Sequence, residues 1–153
     1  MYPNHYNVMA TKIFVNLPVK DLNASVAFFT QLGYQFNQQF TDEKAACMVI
    51  SADIYAMLLV EPFFQSFAPR PITDTAKSNE VILCLSADSR AAVDTLVDKA
   101  LAAGGRSYPE QPNPEFMYAR NFQDPDGHLW EIMYMDPSYV QSEQPAPATA
   151  DAN

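Results

Sequence analysis

Histidine, cysteine, glycine and basic residues are all scarce in this 153-residue chain. It has two His, two Cys, four Gly, and nine Lys+Arg against eighteen Asp+Glu. The resulting net charge of −9 argues against nucleic acid and anionic membranes, since both want a basic face. No apolar run approaches the ~20 residues that span a bilayer. The opening stretch MYPNHYNVMA has neither the basic region nor the apolar core of a signal peptide. A soluble cytoplasmic protein is the expectation. Cys47 and Cys84 match no zinc spacing and no redox pair, and each lies in an apolar run, so both are expected as buried, reduced thiols. His5 and His128 are the whole supply of imidazole, which limits any metal or acid–base site; His5 lies in the N-terminal arm and is given no role. What is abundant is apolar residues, 48% against 18% charged, so the chain is not disordered. At this length one domain folds without disulfides or a structural metal.

KIFVNLPV (12–19) is short and β-rich and reads as a strand. Asp21 and Asn23 offer capping oxygens to a helix over SVAFFTQL that stops at Gly33. YQFNQQF (34–40) alternates as a half-buried strand does. The turn Thr41-Asp42-Glu43-Lys44 leads to a strand AACMVIS, and Ala52-Asp53 leads to another, IYAMLLVE. Residues 62–77 break the pattern: three prolines exclude a central strand, while three phenylalanines point to an ordered connector that packs on something, in the manner of a lid. The second half then repeats the first. EVILCLSA (80–87) is a strand, and Asp88 or Ser89 caps a helix RAAVDTLVDKALAAGG with Ala92, Val93, Leu96, Val97, Ala100 and Leu101 on its apolar face. RSYPEQ is a weak strand, EFMYARNF a clearer one, Asp124-Pro125-Asp126-Gly127 a hairpin turn, and HLWEIMYM the last strand. Two β-α-β-β-β units, neither able to cover its own sheet, should pack as a pair. The expected organisation is an N-terminal arm (1–10), one folded domain (11–136) and a disordered tail (137–153). The domain divides into module one (11–61), the connector (62–77) and module two (78–136).

LPVKDLNASVAFFTQLGY and FQDPDGHLWEIM resemble the two signature stretches of the vicinal oxygen chelate superfamily, which includes glyoxalase I and the fosfomycin-resistance, bleomycin-resistance and extradiol dioxygenase families. The resemblance covers residues 11–136. It implies an α+β fold of two βαβββ modules, their mixed sheets curled into a half-barrel cleft. It also implies a homodimer and, in many members, a divalent metal that chelates two neighbouring substrate oxygens. The family's metal histidine on the first strand falls here on Phe14, a glutamate of the fourth strand on Leu58, and a histidine opening the second module on Ile82. Only the glutamate of the last strand is present, as Glu131. One carboxylate does not hold a transition metal tightly. The polar residues nearest these positions are Asn16, Glu61, Glu80 and Cys84, and a hard-metal site of Glu131, Glu80 and Asn16 is the metal-bearing alternative.

Alternation sets Glu131 on one face of its strand and Trp130 and His128 on the other, where His128 reads as a surface-near hairpin residue and Asp124 to Gly127 as turn chemistry. Glu131 among apolar groups would have a raised pKa and could serve as an acid, a base or a polar anchor. Asn121 contacts ligand if the hairpin carries the bulge implied by the resemblance; otherwise Arg120 takes its place and points to an anionic group. Phe14, Asn16, Met57, Leu58, Ile82 and Met117 would line an apolar pocket for a flat ligand, with Phe63, Phe64 and Phe67 closing over it. The favoured expectation is a homodimer that binds a small apolar or aromatic molecule with no metal and no cofactor. The alternative is a glyoxalase-like lyase or isomerase, or a dioxygenase-related enzyme, built on Glu131 with an unconventional metal site. A third is a packed-shut cleft with a protein-binding surface.

Overall fold

A computed structural model describes residues 11–140. His5 and the N-terminal arm lie outside the described residues, as does most of the expected tail. Of that tail, Pro137–Val140 form a short helical turn.

Module one runs β1 (Ile13–Val19), α1 (Leu22–Gln31), β2 (Gln35–Asn37), β3 (Ala45–Val49) and β4 (Ile54–Val60). Asp21 caps α1 by accepting the Ala24 N–H at 3.0 Å. Gly33, at φ +103°, takes the chain off the helix into β2. β2 is shorter than its alternation suggests. Asn37 Oδ1 accepts the Gln39 N–H and starts a 3-10 turn, Gln38–Phe40, that leaves Phe40 exposed. The strands form a sheet in the order β1-β4-β3-β2, with β1 and β4 parallel and the rest antiparallel.

The connector opens with a helix, α2 (Glu61–Phe67). Pro62 forbids a central strand but suits a first helical turn, where its missing N–H costs nothing. Module two runs β5 (Ile82–Ser86), α3 (Arg90–Ala102), β6 (Met117–Gln123) and β7 (Leu129–Met135), in a sheet ordered β5-β7-β6. Ser89, not Asp88, caps α3 through the Ala92 N–H. The weak strand expected at RSYPEQ is a correction: only an isolated bridge, Arg106 to Gln123, forms there. Pro109, Pro112 and Pro114 have no N–H to offer a ladder.

The core lies between the sheets and the helices and joins the modules. Leu17, Phe28, Phe29, Ala56 and Leu58 from module one are buried with Val93, Val97, Phe122, Trp130 and Ile132 from module two. Phe29 meets the Trp130 ring edge-on at 5.3 Å, and Phe28 lies 6.0 Å from Phe122. Among the described residues no helix is long and apolar enough to cross a membrane.

Candidate functional site

Because successive strand residues face opposite sides, burial of one set dictates where the other goes. On β7, Trp130 and Ile132 turn into the core, so Leu129, Glu131 and Met133 take the open face. β6 sets Asn121 opposite Glu131, Ala119 opposite Met133, and Met117 opposite Met135. β5, on the other edge of β7, sets Cys84 beside Glu131. An amide, a carboxylate and a thiol therefore lie in a row across three strands. The irregular segment 108–113 supplies the remaining wall of a cavity of about 260 Å³, lined among others by Ile82, Tyr108, Glu110, Met117, Asn121 and Glu131. That wall is tied down. Asn121 Oδ1 accepts the Tyr108 N–H at 3.1 Å, the Asn121 N–H donates to Glu110 Oε1 at 3.3 Å, and Asn113 Nδ2 donates to the Ala119 carbonyl at 3.1 Å. The Tyr108 hydroxyl donates to the Trp130 carbonyl at 3.4 Å.

The cavity disfavours negative charge. Cys84 Sγ donates to Glu131 Oε1 at 3.9 Å. Loss of water among the strands, then the Glu131 charge and this hydrogen bond, push the thiol up from its ordinary value. It is held as a thiol at neutral pH, not as a nucleophilic thiolate. Burial, then Glu131, Cys84 and Glu110, push the Tyr108 phenol up to about 12. Cys84 is thus not the buried core thiol expected; it is accessible on the open face, while Cys47 is buried.

A transition metal needs three or four N, O or S donors. Around Glu131 stand a protonated thiol and a phenol already bonded to a carbonyl, and among the described residues no three His, Cys, Asp or Glu side chains converge. These residues do not fit a tightly held metal. The alternative triad does not gather either: Asn16 and Glu80 line a separate groove with Phe64 and Val81.

The other expected site residues divide. Ile82 and Met117 line the Glu131 cavity, but Phe14 and Met57 do not. Phe14 stacks on Tyr55, ring centroids 4.7 Å apart, on the open face of the first sheet, and β1 register puts Asn16 beside Met57 there. Leu58 is a correction. It has no solvent exposure and packs in the core with Ala56, one residue out of phase with the open face, so it lines no cleft. Arg120 is another. The β6–β7 ladder runs unbroken with Asn121 opposite Glu131, so no bulge is needed to bring the amide there. Arg120 contributes to the cavity lining, yet its Nη1 lies 2.9 Å from both Asp94 and Asp98 of α3. Phe64 and Phe67 line a groove with Asn16 and Leu59 over the first sheet, and Phe63 packs on Phe67. These phenylalanines therefore cover module one rather than Glu131.

His128 is the residue most misjudged from sequence. It is buried between the modules, its Nε2 2.7 Å from the Pro18 carbonyl and its Nδ1 2.6 Å from Glu80 Oε1. The second contact is a charge contact, its N–H not aligned on the oxygen. Asp124 is buried too and accepts from the Asp126 and His128 N–H groups and from the Trp130 indole. The turn also closes on module one, with Asp126 accepting from the Lys20 N–H and the Ser25 hydroxyl. No local sequence signal announces this interlock, because its partners are distant in the chain.

A family model described as bleomycin resistance protein-like N-terminal matches residues 11–51. No curated protein matches the chain. Among solved structures, a hypothetical protein from S. aureus is 28% identical, with TM-score 0.69, covering 80% of this chain and 92% of that one. A glyoxalase-related enzyme from Fulvimarina pelagi is 21% identical, with TM-score 0.66, covering 79% and 85%. The fosfomycin resistance protein FosX from Listeria monocytogenes is 20% identical, with TM-score 0.60, covering 82% and 93%. A mutant of that FosX was solved with Mn(II) and 1S,2S-dihydroxypropylphosphonic acid.

Proposed function

This chain has the fold of the vicinal oxygen chelate superfamily, and we propose that it binds a small organic ligand on the open face of module two without a tightly held metal. One observation carries the reading. Glu131, the single carboxylate at the family's metal positions, has a protonated thiol and an amide as its strand neighbours, where further metal ligands would be needed. The cavity beside it is apolar on one side, through Ile82, Met117 and the prolines, and polar on the other. The protein acts as a cytoplasmic homodimer. Ile13, Phe14, Ile54 and Val81 are exposed apolar residues that a second copy would cover.

Elemental analysis of protein purified without a tag or chelator tests this. Background levels of Zn, Ni, Fe and Mn are expected, with no rise in melting temperature on adding these ions. A flat aromatic compound at a hundred times its Kd stabilises the protein by about 2.7 kcal/mol, roughly 5–10 °C. Near-stoichiometric metal would overturn the reading. It would favour the second one, a glyoxalase-like enzyme using Glu131, in which Glu131→Gln abolishes turnover. That second reading draws on the Mn(II) bound by FosX and on the position of Glu131 at the cavity wall.

A further inference from the structure

The cavity beside Glu131 has a charge problem that the fold does not solve. Two carboxylates, Glu110 and Glu131, contribute to its lining. Among the described residues neither has a basic side chain within ion-pair distance. The one cationic residue of the lining, Arg120, is committed to Asp94 and Asp98 on the other face of its strand. Glu110 Oε1 receives only the Asn121 N–H, and Glu131 only the Cys84 thiol. The second observation is independent of the charges. Asn121 is 95% buried, and its Oδ1 is used by the Tyr108 N–H, which fixes the orientation of the amide. Its Nδ2 group, on the cavity wall, donates to nothing. The amide group is open to the cavity, so an acceptor on a ligand can reach it, and the half-buried Glu131 and exposed Glu110 give the same cavity a negative rim.

We propose that this cavity selects a cationic ligand: a protonated amine, amidine or guanidine on a flat apolar body, with a hydrogen-bond acceptor placed to receive Asn121 Nδ2. The nitrogen donates to Glu131 and Glu110. The body lies against Ile82, Met117 and Pro112, and the acceptor completes the amide. The inference rests on the ligand-binding reading above and narrows it to one charge class, opposite to the anion that an unpaired Arg120 would have drawn. Such charge-assisted hydrogen bonds are the strong ones in a partly dry site.

Three probes of one shape and different charge test it: benzamidine, benzamide and benzoate, titrated into the full chain and followed by ¹H–¹⁵N NMR. Benzamidine should bind at least tenfold more tightly than benzamide, with shifts at Asn121, Glu131 and Ile82, and benzoate should bind weakest. Glu131→Gln should remove most of the preference for benzamidine over benzamide. Glu110→Gln, on the irregular wall, should remove part of it and guards against a folding defect in the strand variant. Added salt should weaken benzamidine alone. If the three probes bind at these residues with equal affinity, or benzoate leads, the charge selection is refuted and the ligand-binding reading survives. If none shifts these residues at about 10 mM, a concentration that reaches even millimolar affinity, both are refuted.

Discussion

Replacing His128 tests the interlock between the modules. The Pro18 carbonyl and the Glu80 carboxylate can only accept, so the surroundings of both ring nitrogens favour the protonated imidazolium. Burial, the largest single influence, pulls its pKa down. Asp124, the Pro18 carbonyl and Glu80 together outweigh that, and the net direction is up from 6.5. His128→Gln loses a buried charged hydrogen bond to Pro18 and strands part of the Glu80 and Asp124 charge. Breaking buried pairs of this kind costs 3–5 kcal/mol; because Glu80 is partly exposed, the lower end, about 3 kcal/mol, applies. For a chain of this length that is roughly 6–12 °C in Tm. The sign of the pH effect follows from the direction of the shift. A group raised on folding contributes stability that is fully present below its unfolded pKa and disappears as pH rises through the folded one. Urea denaturation of wild type and His128→Gln from pH 5.5 to 9 should therefore show the widest gap at and below about pH 6.5 and a narrowing gap above it. A gap that is constant, widens with pH, or stays below about 1 kcal/mol would refute the charged interlock.

Two further outcomes follow from the cavity and the turn. Cys84 should react sluggishly with a disulfide reagent at pH 7.5 despite its exposure, because burial and Glu131 hold it protonated; Glu131→Gln should speed the reaction several-fold, and an unchanged rate would mean the carboxylate does not act on it. Gly33 and Gly127 both have positive φ, but an added Cβ meets nothing within 4 Å at Gly33, whereas at Gly127 it falls 2.6 Å from Thr75 Oγ1, which bonds the Asp126 carbonyl. Gly33→Ala should cost about 1–2 kcal/mol of backbone strain, and Gly127→Ala clearly more in the same denaturation assay. Equal costs would show that Thr75 yields freely.

The order of the main elements is readable in this chain because α1 and α3 each carry a cap and a stop, Asp21 with Gly33 and Ser89 with Gly104. Phase is not readable where neighbouring residues are of one kind, unlike β7, where Trp130 and Glu131 contrast. Leu58 and Met57 are equally apolar neighbours, and only pairing with β1 decides that Leu58 joins Leu17 in the core while Met57 joins Asn16. The same parity separates Arg120 from Asn121. Contacts distant in sequence are hidden for a different reason. His128 lies beside a turn whose residues look sufficient in themselves, and nothing local marks the Pro18 carbonyl 110 residues away as its partner. The wall 108–113 is missed because its prolines read only as the absence of a strand.

The two faces of the module-two sheet differ in what the fold asks of them. On the inner face Arg120 is bound to Asp94 and Asp98, Asp124 to Trp130, and His128 to Pro18. Removing one of these leaves a partner without its bond. On the open face, Glu131 forms no ion pair, receives a single weak bond from a thiol, and raises the pKa of both Cys84 and Tyr108. A carboxylate in such a position contributes little to folding that glutamine would not, which supports the ligand-binding role proposed for it. The same holds for the free Asn121 amide group beside it. Folding and binding are therefore separable here by strand parity. Substitutions at Glu131 and Glu110 should change what the protein holds and leave its stability nearly untouched, whereas those at His128 and Asp124 should do the reverse.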